Sequence, residues 1–97
     1  MAQRDIDREH LTGTLQSLIR IDSINPSLVP GAAGEAAIAA FVADEMRRLG
    51  LAVLRFESTP GRPSVVGRLR GAGGGASLML NAHLDTVGVE GMAEPFT

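Results

Sequence analysis

The sequence predicts an α/β fold, two N-terminal helices followed by three strands, and three observations carry that expectation. Apolar residues recur at helical spacing twice: Leu11, Leu15, Leu18 and Ile19 within residues 5–21, then Ile38, Phe41, Val42, Met46 and Leu49 within residues 35–49. Residues 51–57 and 64–70 alternate with the period of a strand. Residues 76–82 are apolar on both faces apart from Ser77 and Asn81, the pattern of a central strand covered on both sides.

Each element has start and stop signals. Asp5, Asp7 and Glu9 crowd the start of the first helix and Arg20 lies near its end, both favourable to the helix dipole. Asp22-Ser23-Ile24-Asn25-Pro26 breaks the pattern, because Pro26 forces Asn25 out of helical geometry. A loop over residues 27–34 has a length at which loops begin to carry function. Glu35 opens the second helix and Gly50 stops it. Residues 58–63, with Pro60, Gly61 and Pro63, read as a turn-rich break. Residues 71–75 are Gly-Ala-Gly-Gly-Gly and predict a hairpin between the strands on either side. The resulting sheet is expected to be unfinished within 97 residues.

Composition removes several function classes. Nine basic residues stand against eleven acidic ones, for a net charge of -2, so nucleic-acid binding has little electrostatic support. Three Phe, with no Tyr or Trp, weaken any reading as a carbohydrate platform or a base-stacking nucleic-acid module. The absence of Cys excludes disulfides, thiol nucleophiles and cysteine-held zinc, so any metal must use His, Asp or Glu. No stretch approaches a membrane span of about 20 apolar residues. Met1-Ala2-Gln3-Arg4-Asp5 lacks an apolar signal core, which leads to the expectation of a cytoplasmic protein.

His83 and Asp85 carry the candidate chemistry. They are two apart at the carboxyl end of the expected central strand, where residues i and i+2 share a face and open α/β sheets place ligands. A neutral imidazole is a good zinc ligand, and a neighbouring carboxylate fixes its tautomer and orientation. The same spacing also suits a strand-end histidine beside a turn-capping aspartate. The remaining candidates read as structure. His10 is a solvated helix residue, Asp44 and Glu45 a solvated helix face, and Arg68 and Arg70 exposed strand charges. Met46 and Met79 are expected to fill core, Ser23 and Ser64 have no base nearby in sequence, and residues 71–75 lack the Lys-Ser/Thr ending of a phosphate-binding loop.

The surrounding sequence adds a resemblance. Met79-Leu80-Asn81-Ala82-His83-Leu84-Asp85-Thr86-Val87 resembles the metal motif of the co-catalytic zinc amidohydrolase and peptidase family, which includes acetylornithine deacetylase, succinyl-diaminopimelate desuccinylase, aminoacylase and the glutamate carboxypeptidases. Leu18-Ile19-Arg20-Ile21-Asp22-Ser23-Ile24-Asn25-Pro26 resembles that family's first helix and following loop. The second helix through Leu49-Gly50-Leu51, then Arg62-Pro63-Ser64-Val65-Val66-Gly67-Arg68-Leu69, and finally Glu94-Pro95-Phe96 follow in the family's order. Ala82 stands where the family often has Gly, and Glu94 where Asp is usual.

The resemblance implies that His83 is a zinc ligand and Asp85 the catalytic-site carboxylate that orients it. It implies hydrolysis of amide bonds in N-acyl amino acids or small peptides, with Zn2+ as cofactor, two ions in the complete enzyme and Co2+ as a substitute. It also implies that residues 1–97 are the first part of a catalytic domain with an incomplete mixed sheet. The further ligands and general base, and the lid domain through which such enzymes form homodimers, would lie outside these residues. This stretch alone is then expected to be inactive. The alternatives are a non-catalytic remnant or interaction piece of the same fold, and a small-ligand α/β domain in which His83 is structural.

Overall fold

A computed structural model of the chain describes residues 5–97; residues 1–4, on which most of the N-terminal reading falls, lie outside the described residues. Two helices, α1 (Arg8–Arg20) and α2 (Ala36–Arg48), precede two strands, β1 (Ala52–Thr59) and β2 (Arg62–Arg68). The mixed α and β composition expected from the sequence is present. No described helix is long and apolar enough to cross a membrane.

Helix α1 begins three residues later than the charge pattern suggests, because Asp7 is the N-cap and its Oδ1 accepts from the His10 backbone N–H at 3.1 Å. Its apolar stripe forms but buries nothing: Leu11, Leu15 and Ile19 are exposed. Helix α2 starts directly after Glu35 and ends at Arg48 with Leu49 as its C-cap, and Gly50 follows at φ 87°, a backbone conformation that favours glycine. It buries Ile38, Ala39 and Ala43, while Phe41, Val42 and Met46 are half-buried and Leu49 is exposed. The buried face is thus rotated toward alanines, which let α2 approach the sheet closely.

β1 and β2 pair antiparallel, with Ala52 opposite Arg68 and Phe56 opposite Ser64, and the register shifts by a bulge between Phe56 and Thr59. The connection is Pro60-Gly61, with Gly61 at φ 78°. Proline at the first central position and a left-handed glycine at the second make a type II turn. The turn falls within the break expected at residues 58–63, whereas the hairpin expected across residues 71–75 is corrected, because residues 76–82 form no strand to pair with β2. β2 accordingly begins at Arg62 rather than Ser64.

α2 packs on one face of the hairpin, chiefly against β2. Pro63, Val65 and Gly67 are the less exposed positions of β2. A Cβ at Gly67 would lie 2.6 Å from Met46 Sδ and 2.7 Å from Leu51 Cδ2, so glycine admits the Met46 side chain there. Met46 fills space as expected. The opposite face of the hairpin leaves Leu54, Phe56 and Val66 exposed.

The third strand does not form. Residues 76–82 pair with no other strand, and Leu78, Met79 and Leu80 are 86%, 82% and 89% exposed. The central strand and the core role of Met79 are therefore both corrected. A run apolar on both faces needs ladder partners and two covering layers, and the described residues supply neither. What remains of sheet pairing there is one parallel bridge, Ile24 to Thr86. The radius of gyration is 16.0 Å, against about 13 Å for a compact domain of this length. The accessible surface is 8044 Å², against about 5,300 Å² for a compact monomer of the same mass.

Candidate functional site

The loop after α1 and the segment before the C-terminal turns meet at the parallel bridge. Asn25 N–H donates to Thr86 O and Thr86 N–H donates to Ser23 O, both at 2.9 Å. Ser23 and Ile24 are buried there. Ile24 O also accepts from Gly34 N–H at 3.0 Å, which folds residues 24–34 into a closed loop. The Asp22 side chain adds a turn by accepting from Ile24 N–H at 3.1 Å. These bonds pin the backbone at Thr86, one residue beyond Asp85.

His83 and Asp85 converge as their spacing suggests, although the segment carrying them is not a strand. His83 Nδ1 lies 2.8 Å from Asp85 O and 3.2 Å from Asp85 Oδ1. Both partners are acceptors, so they assign the proton of the neutral ring to Nδ1 and leave the Nε2 lone pair free. Nε2 has no hydrogen bond among the described residues, and the His83 side chain is 83% exposed against 29% for Asp85.

Asp85 has a second partner: Asn25 Nδ2 donates to Oδ2 at 2.8 Å. That bond holds the Asp85 carboxyl below the usual carboxylate range. Partial desolvation opposes the shift, while the residue's own backbone N–H and the His83 charge add to it. Asn25 Oδ1 accepts from Ser27 N–H at 2.7 Å, closing an Asx turn.

Behind this loop lies an ion pair. Glu35 is buried, and its two oxygens accept from Arg62 Nε at 2.8 and 2.6 Å. The Glu35 bond raises the Arg62 pKa above its ordinary value. An Arg62 terminal nitrogen also donates to Ser27 Oγ at 3.3 Å. Glu35 therefore does not cap α2 through its side chain; its carboxylate ties the start of α2 to the first residue of β2. His83 and Asp85 are legible in the sequence as a candidate pair; the roles of Asn25, Ser27 and Arg62 are not. Asn25 and Asp85 are 60 residues apart, Glu35 and Arg62 27 apart, beyond any local pattern. The one available signal was the polar break at residues 22–26, too rich in hydrogen-bonding side chains for a simple connection.

As a metal site the arrangement is partial. An imidazole with a free Nε2 and a carboxylate on its other nitrogen fits one ligand and its orienting partner. No group of three His, Asp or Glu residues able to hold a metal occurs among the described residues. His10 is exposed in the first turn of α1. No protein-family model and no solved structure matches the chain.

Proposed function

We propose that this chain carries the first ligand, His83, and the orienting carboxylate, Asp85, of a zinc-dependent hydrolase that cleaves amide bonds of N-acyl amino acids or small peptides. The observation that supports this reading most is the paired geometry: Asp85 Oδ1 at 3.2 Å from Nδ1 with Nε2 turned to solvent, within a motif that resembles a zinc amidohydrolase motif. When bound, the ion supplies Lewis acidity, activating water and polarising the amide carbonyl. His83 would hold it, and Asp85 would fix the imidazole's tautomer and direction. Zinc takes three or four protein ligands, so the others are proposed to come from outside these 97 residues. Co2+ as a substitute metal, a second ion, homodimerisation of the complete enzyme and a cytoplasmic location belong to the same proposal.

Exposure of Leu78, Met79 and Leu80 favours a second reading, an interaction piece of the same fold without catalysis. Hydrolysis assays with N-acetyl amino acids separate the two. The proposal expects a zinc-dependent activity of the complete protein that His83→Ala abolishes, and none from the 97-residue chain alone. A complete protein that binds no zinc, or that hydrolyses equally well without His83, overturns it.

A further inference from the structure

Asn25 is the most heavily bonded residue of the candidate site. Its backbone N–H donates to Thr86 O at 2.9 Å, and its backbone oxygen accepts from Leu28 N–H at 3.1 Å and Val29 N–H at 3.0 Å. The two ends of its amide do different things. Oδ1 accepts from Ser27 N–H at 2.7 Å, and Nδ2 donates to Asp85 Oδ2 at 2.8 Å. Backbone bonds at both faces of the residue and the Asx turn leave the amide no freedom to turn away. Its donor end is therefore aimed at Asp85 before any ligand arrives.

Asp85 has two carboxylate oxygens, and the Asn25 amide occupies one of them. The other, Oδ1, is then turned to His83 Nδ1. We propose that Asn25 is the positioning residue of the His83–Asp85 pair, holding Asp85 Oδ2 so that Oδ1 faces His83 Nδ1 and the imidazole presents Nε2 outward. Asparagine suits the position because a single short side chain must accept at one end and donate at the other. Aspartate would keep the acceptor for Ser27 N–H and put a second negative charge against Asp85. Arg62, through Ser27 Oγ at 3.3 Å, supports the same turn from the side of the Glu35 ion pair.

The functional meaning of this inference rests on the zinc reading, but the positioning itself has a metal-free signature. The tautomer of His83 is read from its ring nitrogen shifts by 15N NMR on the full chain, well above the ordinary imidazole pKa of about 6.5. The wild-type ring is expected chiefly as the Nδ1–H form. Asn25→Asp keeps the Asx turn and removes the donor, so the Nδ1–H to Nε2–H ratio should fall about threefold, the weaker end of what one hydrogen bond contributes. The fall is only partial because Asp85 O still accepts from Nδ1. In an Asp85→Ala background the same substitution should leave the ratio unchanged, there being no carboxylate left to position. Asn25→Ser, which retains a capping hydroxyl without the reach to Asp85, is measured in parallel, so loss of fold in one variant leaves the other as the reading. A ratio unmoved by both substitutions, or moved equally without Asp85, overturns the proposal. A ratio that falls while the complete protein binds no zinc leaves the positioning intact and overturns the zinc reading instead.

Discussion

Ile38 is the most informative single truncation of the fold. It is the one large apolar side chain that α2 buries, 6% exposed, beside Ala39 and Ala43. Ile38→Ala removes three carbons, about 2.4 kcal/mol of transfer free energy at roughly 0.8 kcal/mol per buried carbon. A rigid core would add a cavity term on top of that, and measured Ile→Ala costs run from about 2 to 5 kcal/mol. Here the neighbours are small and the surroundings half-exposed, so collapse relieves most of the cavity and the expected cost is about 2–3 kcal/mol. Marginal stability at roughly 0.05 kcal/mol per residue would total about 5 kcal/mol for a chain of this length. The truncation would therefore take about half of it. Urea unfolding followed by far-UV circular dichroism reads this as a lower midpoint with an unchanged slope. A loss under about 0.5 kcal/mol would refute the claim that the buried Ile38 side chain anchors α2.

Two further expectations concern the turn and the carboxylate. Gly61 holds φ 78°, and a Cβ added there would meet nothing within 4 Å, so Gly61→Ala meets backbone strain alone; a loss of about 1 kcal/mol in the same urea experiment is expected, whereas no loss would argue against closure at Pro60-Gly61. Asp85 has a lowered pKa in the folded chain, so the stability it contributes is in place above the ordinary carboxylate range and is lost only as pH falls through the lower folded value. Following the Asn25 and Thr86 amide resonances into acid should show that late step, and Asp85→Asn should remove it; a midpoint at or above the ordinary carboxylate value would contradict the Asn25 bond.

Local physics made some of this molecule legible in its sequence and left the rest hidden. α2 was readable nearly to the residue, because periodicity and Gly50 both mark it within a few positions. The start of α1 was misplaced because three acidic residues suit a helix N-terminus but only Asp7 has the geometry to cap it. The turn between β1 and β2 was legible from Pro60 and Gly61 within residues 58–63, whereas the glycine-rich run at 71–75 looks like a second hairpin but the segment after it pairs with no strand. The run at residues 76–82 has a buried strand's composition and no partner to pair with, so its pattern describes surroundings that the described residues do not provide. His83 and Asp85 were visible because their contact is made between residues two apart. Asn25, which holds the same carboxylate from 60 residues away, could be found only once the loop had folded.

The central claim is that Asp85 makes His83 a better zinc ligand than an ordinary exposed imidazole, and the chain contains its own reference. His10 is exposed, and its ring makes no hydrogen bond among the described residues, whereas His83 Nδ1 faces Asp85. Orienting partners of this kind are worth about ten- to a hundredfold in metal affinity. The decisive measurement is a zinc titration followed at the imidazole resonances of both histidines. The account predicts binding at His83 Nε2 at least about tenfold tighter than at His10, with the preference reduced, not abolished, in Asp85→Ala, where the backbone oxygen of residue 85 still accepts from Nδ1. Equal affinity at the two histidines, or a preference undiminished by removal of the Asp85 carboxylate, would contradict it.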